Sequence, residues 1–337
     1  MPSLVPLVET FRGGTRECVH FGAVAVAGAH GQVLAHAGDP HWVTFTRSAL
    51  KPLQALPFVH GGGVRHFCLS SANLALLCAS HSGEPMHVEQ VEQILARIGV
   101  GYKRLRCGCH VPYHAELGGW PPPAPGSFDE RHHNCSGKHS GFLAWCVQHG
   151  QPLESYLEPS HPLQQAIRAT VAEVVGLQEH QLAMGIDGCS APNYAMPLAH
   201  LARGFARLVT GARDTRFGDS FALLAEAMTG RPDLVSGTGR NDLAFMRAGG
   251  GDWVTKVGAE GVQVVASRSR GQALAIKVSD GNKLALHAAT VEALDQLGWL
   301  DAAQREALQP WRCETIASVR GAAVGARRAV FRLEGRA

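Results

Sequence analysis

Gly22-Ala23-Val24-Ala25-Val26-Ala27-Gly28-Ala29-His30-Gly31-Gln32-Val33-Leu34-Ala35 reads as two strands around a turn: Ala23–Ala27, then Gly28–Gly31 as the turn, then Gln32–Ala35. Short β-rich runs return near the other end of the chain. Trp253–Val257, Val262–Ser267 and Ala273–Val278 are separated by glycine-containing turns, and a last strand is expected at Ala329–Leu333. Strands at both ends imply one antiparallel sheet built from the N- and C-terminal segments.

Between them the signals are helical. Val88, Val91, Leu95 and Ile98 share a helix face, with Ser82 and Pro85 as start signals. Asn134 or Cys135 opens a second helix that carries Phe142, Leu143 and Cys146; Ser160 and Pro162 open a third, with Gly176 after it. Leu284, His287, Val291 and Leu294 mark one more helix behind the C-terminal strands. The run Pro121-Pro122-Pro123-Ala124-Pro125-Gly126 is a loop, because proline cannot donate to a helix or a ladder. The reading is α+β: residues 1–47 and 250–337 form the sheet, residues 48–249 a mainly helical region, and the two make one catalytic unit with a cleft at their junction.

Composition narrows the class. Of 337 residues, 45% are hydrophobic and 18% charged, as in an ordinary water-soluble enzyme. Thirty-one basic residues against 28 acidic leave a charge of +3 with no basic stripe, which argues against a nucleic-acid partner. No apolar run approaches the roughly 20 residues of a membrane span, and Met1–Thr10 lacks the pattern of a secretory leader, so a cytoplasmic address is expected. The nine cysteines give no disulfide framework; Cys68, Cys78 and Cys146 read as small buried thiols in apolar stretches.

Ser48-Ala49-Leu50-Lys51 places a hydroxyl and an amine three residues apart, on one face of a helix. Pro52 follows, so the tetrapeptide must open that helix, since proline is tolerated only in the first turn. A serine hydroxyl is a weak nucleophile until a base takes its proton, and a lysine can be that base when burial or a second cation lowers its pKa. The spacing alone is common, and a serine near a helix start is ordinarily a cap. Two further segments add weight. Ala79-Ser80-His81-Ser82-Gly83-Glu84 is a hydroxyl-rich turn between helical stretches, and Lys256-Val257-Gly258 puts a lysine beside a glycine where a substrate backbone could pass. S-x-x-K, a second serine on a helical-domain turn and K-x-G on a strand are the trio of serine–lysine hydrolases of the β-lactamase type.

With Arg47–Pro52, Cys78–Glu84, Cys107-Gly108-Cys109-His110, Asn134-Cys135-Ser136-Gly137-Lys138-His139, Gly185-Ile186-Asp187-Gly188-Cys189 and Lys256–Gly261 in this order, the chain resembles the L-asparaginases of the rhizobial type. The resemblance covers nearly the whole chain. It implies hydrolysis of L-asparagine to L-aspartate and ammonia on a fold similar to serine β-lactamases and glutaminases, in a homodimer. It carries one serine–lysine pair onto Ser48 and Lys51 and a second onto Ser80 and Lys256. It also implies a zinc ion held by Cys135, Lys138 and Cys189, with Asp187 beside the lysine.

Spacing by itself gives Cys135 and Cys189 no reason to meet, and lysine is an unusual ligand because it must lose its proton. Two thiolates nonetheless suit zinc. A metal there could activate water or orient the substrate's α-amino and carboxylate groups. Arg47 is a candidate for the substrate carboxylate, since its guanidinium fork matches that group, and His139 is a candidate substrate contact next to Lys138. Cys107 and Cys109 are too close for the usual zinc spacing and read as a tight loop near the active site; His132-His133 reads as a solvated loop. The same residues would serve a glutaminase, because one methylene in a pocket changes discrimination by only about 1–3 kcal/mol. A zinc-binding sensor without catalysis is the remaining alternative, and intact Ser48, Lys51, Ser80 and Lys256 argue against it.

Overall fold

The computed structural model describes residues 2–117, 124, 126–312 and 314–335. Most of the proline-rich run at 121–126 lies outside them. In chain order the strands are β1 (Val5–Arg12), β2 (Thr15–Gly28), β3 (Val33–Ala37), β4 (Val43–Phe45), β5 (Ala183–Ile186), β6 (Pro192–Pro197), β7 (Trp253–Gly258), β8 (Val262–Ser267), β9 (Gln272–Val278), β10 (Thr315–Ala317), β11 (Ala323–Ala329) and β12 (Glu334–Gly335). The large sheet runs β10-β11-β1-β2-β9-β8-β7, with β3 also on β2 and β12 on β3, and every pairing is antiparallel. It is built from both termini, as the sequence implied.

The alternation within β2 shows why its central run contains no polar residue. Side chains on a strand point to opposite faces in turn. Ala23, Ala25 and Ala27 enter a core shared with the helical region, while Val24 and Val26 enter a second core with Leu286, Val291 and Leu294 of the helix Lys283–Gln296. Both faces of the sheet are covered along this run, so both must be apolar there. The alanine face lets the helix Leu198–Thr210 lie close against β2 and β9.

Three local expectations need correction. The last long strand is β11, not 329–333: Phe331 and Leu333 are apolar because they pack into the second core, whereas β11 itself carries Arg327 and Arg328. The helix Pro85–Arg97 does begin at Pro85, but its cap is Glu84, whose backbone N–H donates to His87 Nδ1 and whose carbonyl accepts from His87 N–H, while Ser82 is buried and donates to the Ser236 carbonyl. A second, three-stranded sheet, β4-β6-β5, also escapes the sequence reading: β5 and β6 lie within the stretch 48–246 and β4 just before it. Its strands are three to six residues long, too short for alternation to register.

That small sheet positions the site. β4 leads directly into the turn that carries Ser48, and β5 and β6 form a hairpin whose tip is Asp187–Ala191, closed by Asp187 N–H to Ala191 O at 2.9 Å. β7, at one edge of the large sheet, brings Lys256 against the helical region. Among the described residues, no helix is long and apolar enough to cross a membrane.

Candidate active site

Arg47–Leu50 is a 3₁₀ turn, and Lys51 begins the helix Lys51–His60 with Pro52 in its first turn. In a 3₁₀ turn the side chains at i and i+3 eclipse, so Ser48 and Lys51 project the same way. The turn is held by unusual backbone. Arg47 has φ +49°, a left-handed conformation that costs a non-glycine residue stability. Asn193 of β6 fixes it from both sides, accepting from Arg47 N–H and donating to Arg47 O, each at 3.0 Å. Behind the turn runs β7. A Cβ on Gly258 would stand 2.5 Å from Thr46 O and 3.0 Å from Ala49 N. The glycine of K-x-G therefore admits the protein's own Ser48 turn; the expected passage for a substrate backbone is filled by the chain itself.

Lys51 is fully buried, and its Nζ donates to Ala79 O (2.7 Å), Ser80 Oγ (3.0 Å) and Asn134 O (3.2 Å). Ser48 Oγ is not among these partners. Lys256 is equally buried, and its Nζ donates to Ser80 Oγ (2.9 Å) and Val257 O (2.9 Å), with Asp242 Oδ2 at 3.5 Å. One hydroxyl thus joins two amines that lie within about 6 Å of each other. At an effective dielectric near 20, two ammonium charges at that range repel by roughly 3 kcal/mol. Each also loses several kcal/mol of hydration on burial. Both lysines accordingly have lowered pKa values. Burial, Lys51 and Arg240 bring Lys256 down to about 7 against the opposing pull of Asp242. Burial, joined by Lys138, lowers Lys51 against the pull of Cys135 and Cys189. With one lysine neutral, Ser80 can accept from one amine and donate to the other, which is a short proton path.

Asp242 is the counter-ion that sequence reading missed. It lies in the first turn of the helix Asn241–Ala248 and is fully buried. Its Oδ1 accepts from Thr255 Oγ1 (3.1 Å) and Gln263 Nε2 (3.0 Å), and its Oδ2 from Val257 N–H (2.9 Å). No spacing rule links 242 to 256; the packing of the helix Asn241–Ala248 against β7 supplies the proximity.

On the other side of Lys51 the hairpin tip brings Cys189 to Cys135, the cap residue of the helix Ser136–Gln148, so residues remote in sequence meet in a buried group. Lys138 Nζ lies 2.9 Å from Cys189 Sγ. The hydrogen bond from Cys135 holds Cys189 far below the ordinary thiol range, aided by Lys138 against the effect of burial. The same bond, with burial, pushes Cys135 well up. Burial pulls the pKa of Lys138 down, but the two cysteines and Asp187 outweigh it and raise it overall. His139 is fully buried, with Nδ1 2.7 Å from Tyr156 OH and Nε2 lacking a well-formed hydrogen bond on the side of Cys189. Among the described residues there is no group of three His, Cys, Asp or Glu side chains placed for a metal, so an ion here would need Lys138 as a donor.

Arg47 Nε donates to Asp187 Oδ1 at 2.8 Å, and Asp187 also accepts from Gly188 N–H. Asp187 thus holds Arg47. The Cys107–His110 loop is near the site: His110 Nε2 is 3.3 Å from Asn134 Oδ1, on the residue whose carbonyl receives Lys51. His133 is buried rather than solvated. Its Nδ1 accepts from Cys135 N–H at 3.0 Å, and burial, with neighbouring histidines, pushes it down to about 3. His132 is half-buried, with Nδ1 accepting from Asp129 N–H. Cys78 and Cys146 are buried thiols pushed up to about 12, but Cys68 is exposed.

Compared with known proteins, the chain matches the L-asparaginase II family profile over residues 8–329. None of the curated proteins compared with it is similar in sequence. Among solved structures, a β-lactamase from Mycobacterium bovis aligns with 82% of this chain and 94% of its own, at 17% identity and a TM-score of 0.40.

Proposed function

The chain belongs to the L-asparaginase II family and is an asparaginase amidohydrolase, and on that premise we propose that it cleaves the side-chain amide of L-asparagine through an ester on Ser48. The observation that carries the reading is Ser80 Oγ held between two buried amines whose pKa values are lowered. Ser48 Oγ attacks the amide carbon as its proton passes to neutral Lys51. Backbone N–H groups at the Ser48 turn hold the tetrahedral oxyanion. Collapse breaks the C–N bond, and Ser80 passes a proton from the lysine pair to the departing ammonia. Water then hydrolyses the ester, returning the proton to Ser48 and releasing L-aspartate. Lys256, held by Asp242, disfavours a second charge on Lys51.

Steady-state kinetics on L-asparagine and L-glutamine test the substrate. We expect kcat/KM for L-asparagine to exceed that for L-glutamine by at least about 10-fold, since one methylene displaces the amide from Ser48. Equal or reversed values would assign the chain a broader or different amide substrate.

A zinc ion fits the donor set of Cys135, Lys138 and Cys189: two thiols from separate elements meet, an amine lies beside them, and the buried His139 Nε2 is left without a bond of its own. When bound, the metal supplies a fixed Lewis acid for the polar groups of the substrate. Chelation followed by separate measurement of KM and kcat tests that role. A rise in KM of about 10- to 100-fold with kcat kept within about 3-fold, restored by zinc, is the expected result. A loss confined to kcat would place the metal in the chemical step.

A further inference from the structure

Arg240 lies beside the reacting groups without a partner for its charge. Its Nη1 donates to the backbone carbonyl of Ser80, and its guanidinium lies 5.4 Å from the centre of the Tyr113 ring. Tyr113 in turn is close enough to Arg240, Cys135 and Arg47 for each to act on its hydroxyl. No carboxylate lies within ion-pair distance of Arg240 among the described residues. The two nearby acids are committed elsewhere: Asp242 to Thr255, Gln263 and Val257, and Glu84 to Thr238, which donates to it through N–H (2.8 Å) and Oγ1 (2.9 Å). Arg47 differs, because Asp187 occupies its Nε and compensates its charge.

The loop that presents Arg240 is fixed. Gly237 has φ +121°, and a Cβ there would stand 2.5 Å from Ser82 Oγ and 2.6 Å from Glu84 Oε1. The loop therefore closes tightly on the Ser80–Glu84 turn. Three consecutive residues then enter the site: Arg240 to Ser80, Asn241 to Gln263 (2.6 Å) and Asp242 to Lys256. A half-buried guanidinium without an acidic partner, set over an aromatic ring, is a receptor for a carboxylate.

We propose that Arg240, with Tyr113 beneath it, anchors the α-carboxylate of the substrate, leaving Arg47 to serve the Asp187–Cys189 side. The proposal rests on the asparaginase reading above and deepens it. β-Alaninamide, which is asparagine without its α-carboxylate, separates this role from a purely structural one. The wild-type chain should favour L-asparagine over β-alaninamide by roughly 100-fold in kcat/KM, the scale of one charge-assisted pair. Arg240→Gln should lower kcat/KM for L-asparagine by a similar factor, mainly through KM, and leave β-alaninamide within about 3-fold when both are compared on the alkaline plateau, where losing a cation beside Lys256 no longer changes the neutral fraction of the lysine pair. Arg240→Lys, which keeps the charge and a donor for Ser80 O, should fall between them and also serves if the glutamine variant does not fold. Equal losses on both substrates would overturn the proposal, because Arg240 would then act only through Ser80. A wild-type ratio near one would overturn it without any variant, as would a carboxylate-selective loss in Arg47→Gln but not in Arg240→Gln. Absence of L-asparagine turnover by the wild-type chain would instead overturn the reading on which the proposal stands.

Discussion

Alanine at Ser48 is expected to lower kcat for L-asparagine by about 10⁴-fold or more, leaving KM and thermal unfolding nearly unchanged. The substitution removes the atom that forms the bond to the amide carbon, and removing a nucleophile costs more than removing any supporting group. It removes little else. Ser48 is half-buried, its fold-building contact is its backbone carbonyl, which accepts from Lys51 N–H, and no hydrogen bond to its Oγ occurs among the described residues. Stability should therefore shift by no more than about 0.5 kcal/mol. Mass spectrometry of the acid-quenched enzyme should show an aspartyl ester on the wild type at Ser48 and none on the variant. Ser80 is the instructive control. Its Oγ is already shared between two amines, and a serine held that way is placed to relay protons. An ester found on Ser80, or turnover surviving in Ser48→Ala, would reverse the two roles.

What could be read from the sequence, and what could not, follows from the range of the interactions. β2, β7, β8 and β9 announced themselves because both faces of their apolar runs are buried, and the Ser48–Lys51 turn because Pro52 directly after it suits a helix's first turn, although the same helix also accommodates Pro57 in its interior. Segments whose position depends on a distant partner left no such mark. Asn193 clamps Arg47 from 146 residues away, and its type and spacing say nothing of that task. Asp242 and Arg240 belong to a helix start that looks solvated until β7 and the Ser80 turn close over it. His133 looked like a surface residue for the same reason: a pair of histidines in a loop is polar, and only the Cys135 amide shows why one of them is inside. The small sheet was missed because β5 carries Gly185 and only four residues. It nevertheless brings Cys189 to Cys135, so the cysteine pair was legible as chemistry but not as geometry.

Methionine at Lys51 should reduce kcat by about 10³-fold, in the range expected for removing a general base, and should move the pH dependence of what remains. In the wild type the base must be neutral to accept the proton of Ser48, so activity rises with pH as the lysine pair loses its first proton. Burial has lowered both amines, and Lys256 lies at about 7 rather than at the ordinary 10.5. The rising limb of kcat should therefore fall near neutrality, well below that of an exposed lysine, and it belongs to the pair rather than to either residue. Removing Lys51 removes one of the cations that depress Lys256, while Asp242 remains to favour its protonated form. The residual limb must then move to higher pH. The substitution also leaves the carbonyls of Ala79 and Asn134 without their shared donor, a cost of about 1–3 kcal/mol for each group that water does not reach, so the comparison requires temperatures well below the unfolding midpoint. Lys256→Met supplies the converse. It removes a cation from beside Lys51, raises the pKa of the base, and should shift the rising limb upward while leaving more of the maximal rate. Wild-type activity that is flat between about pH 6 and 8, or limbs that stay in place in both variants, would mean that the two amines are not coupled through Ser80 in turnover.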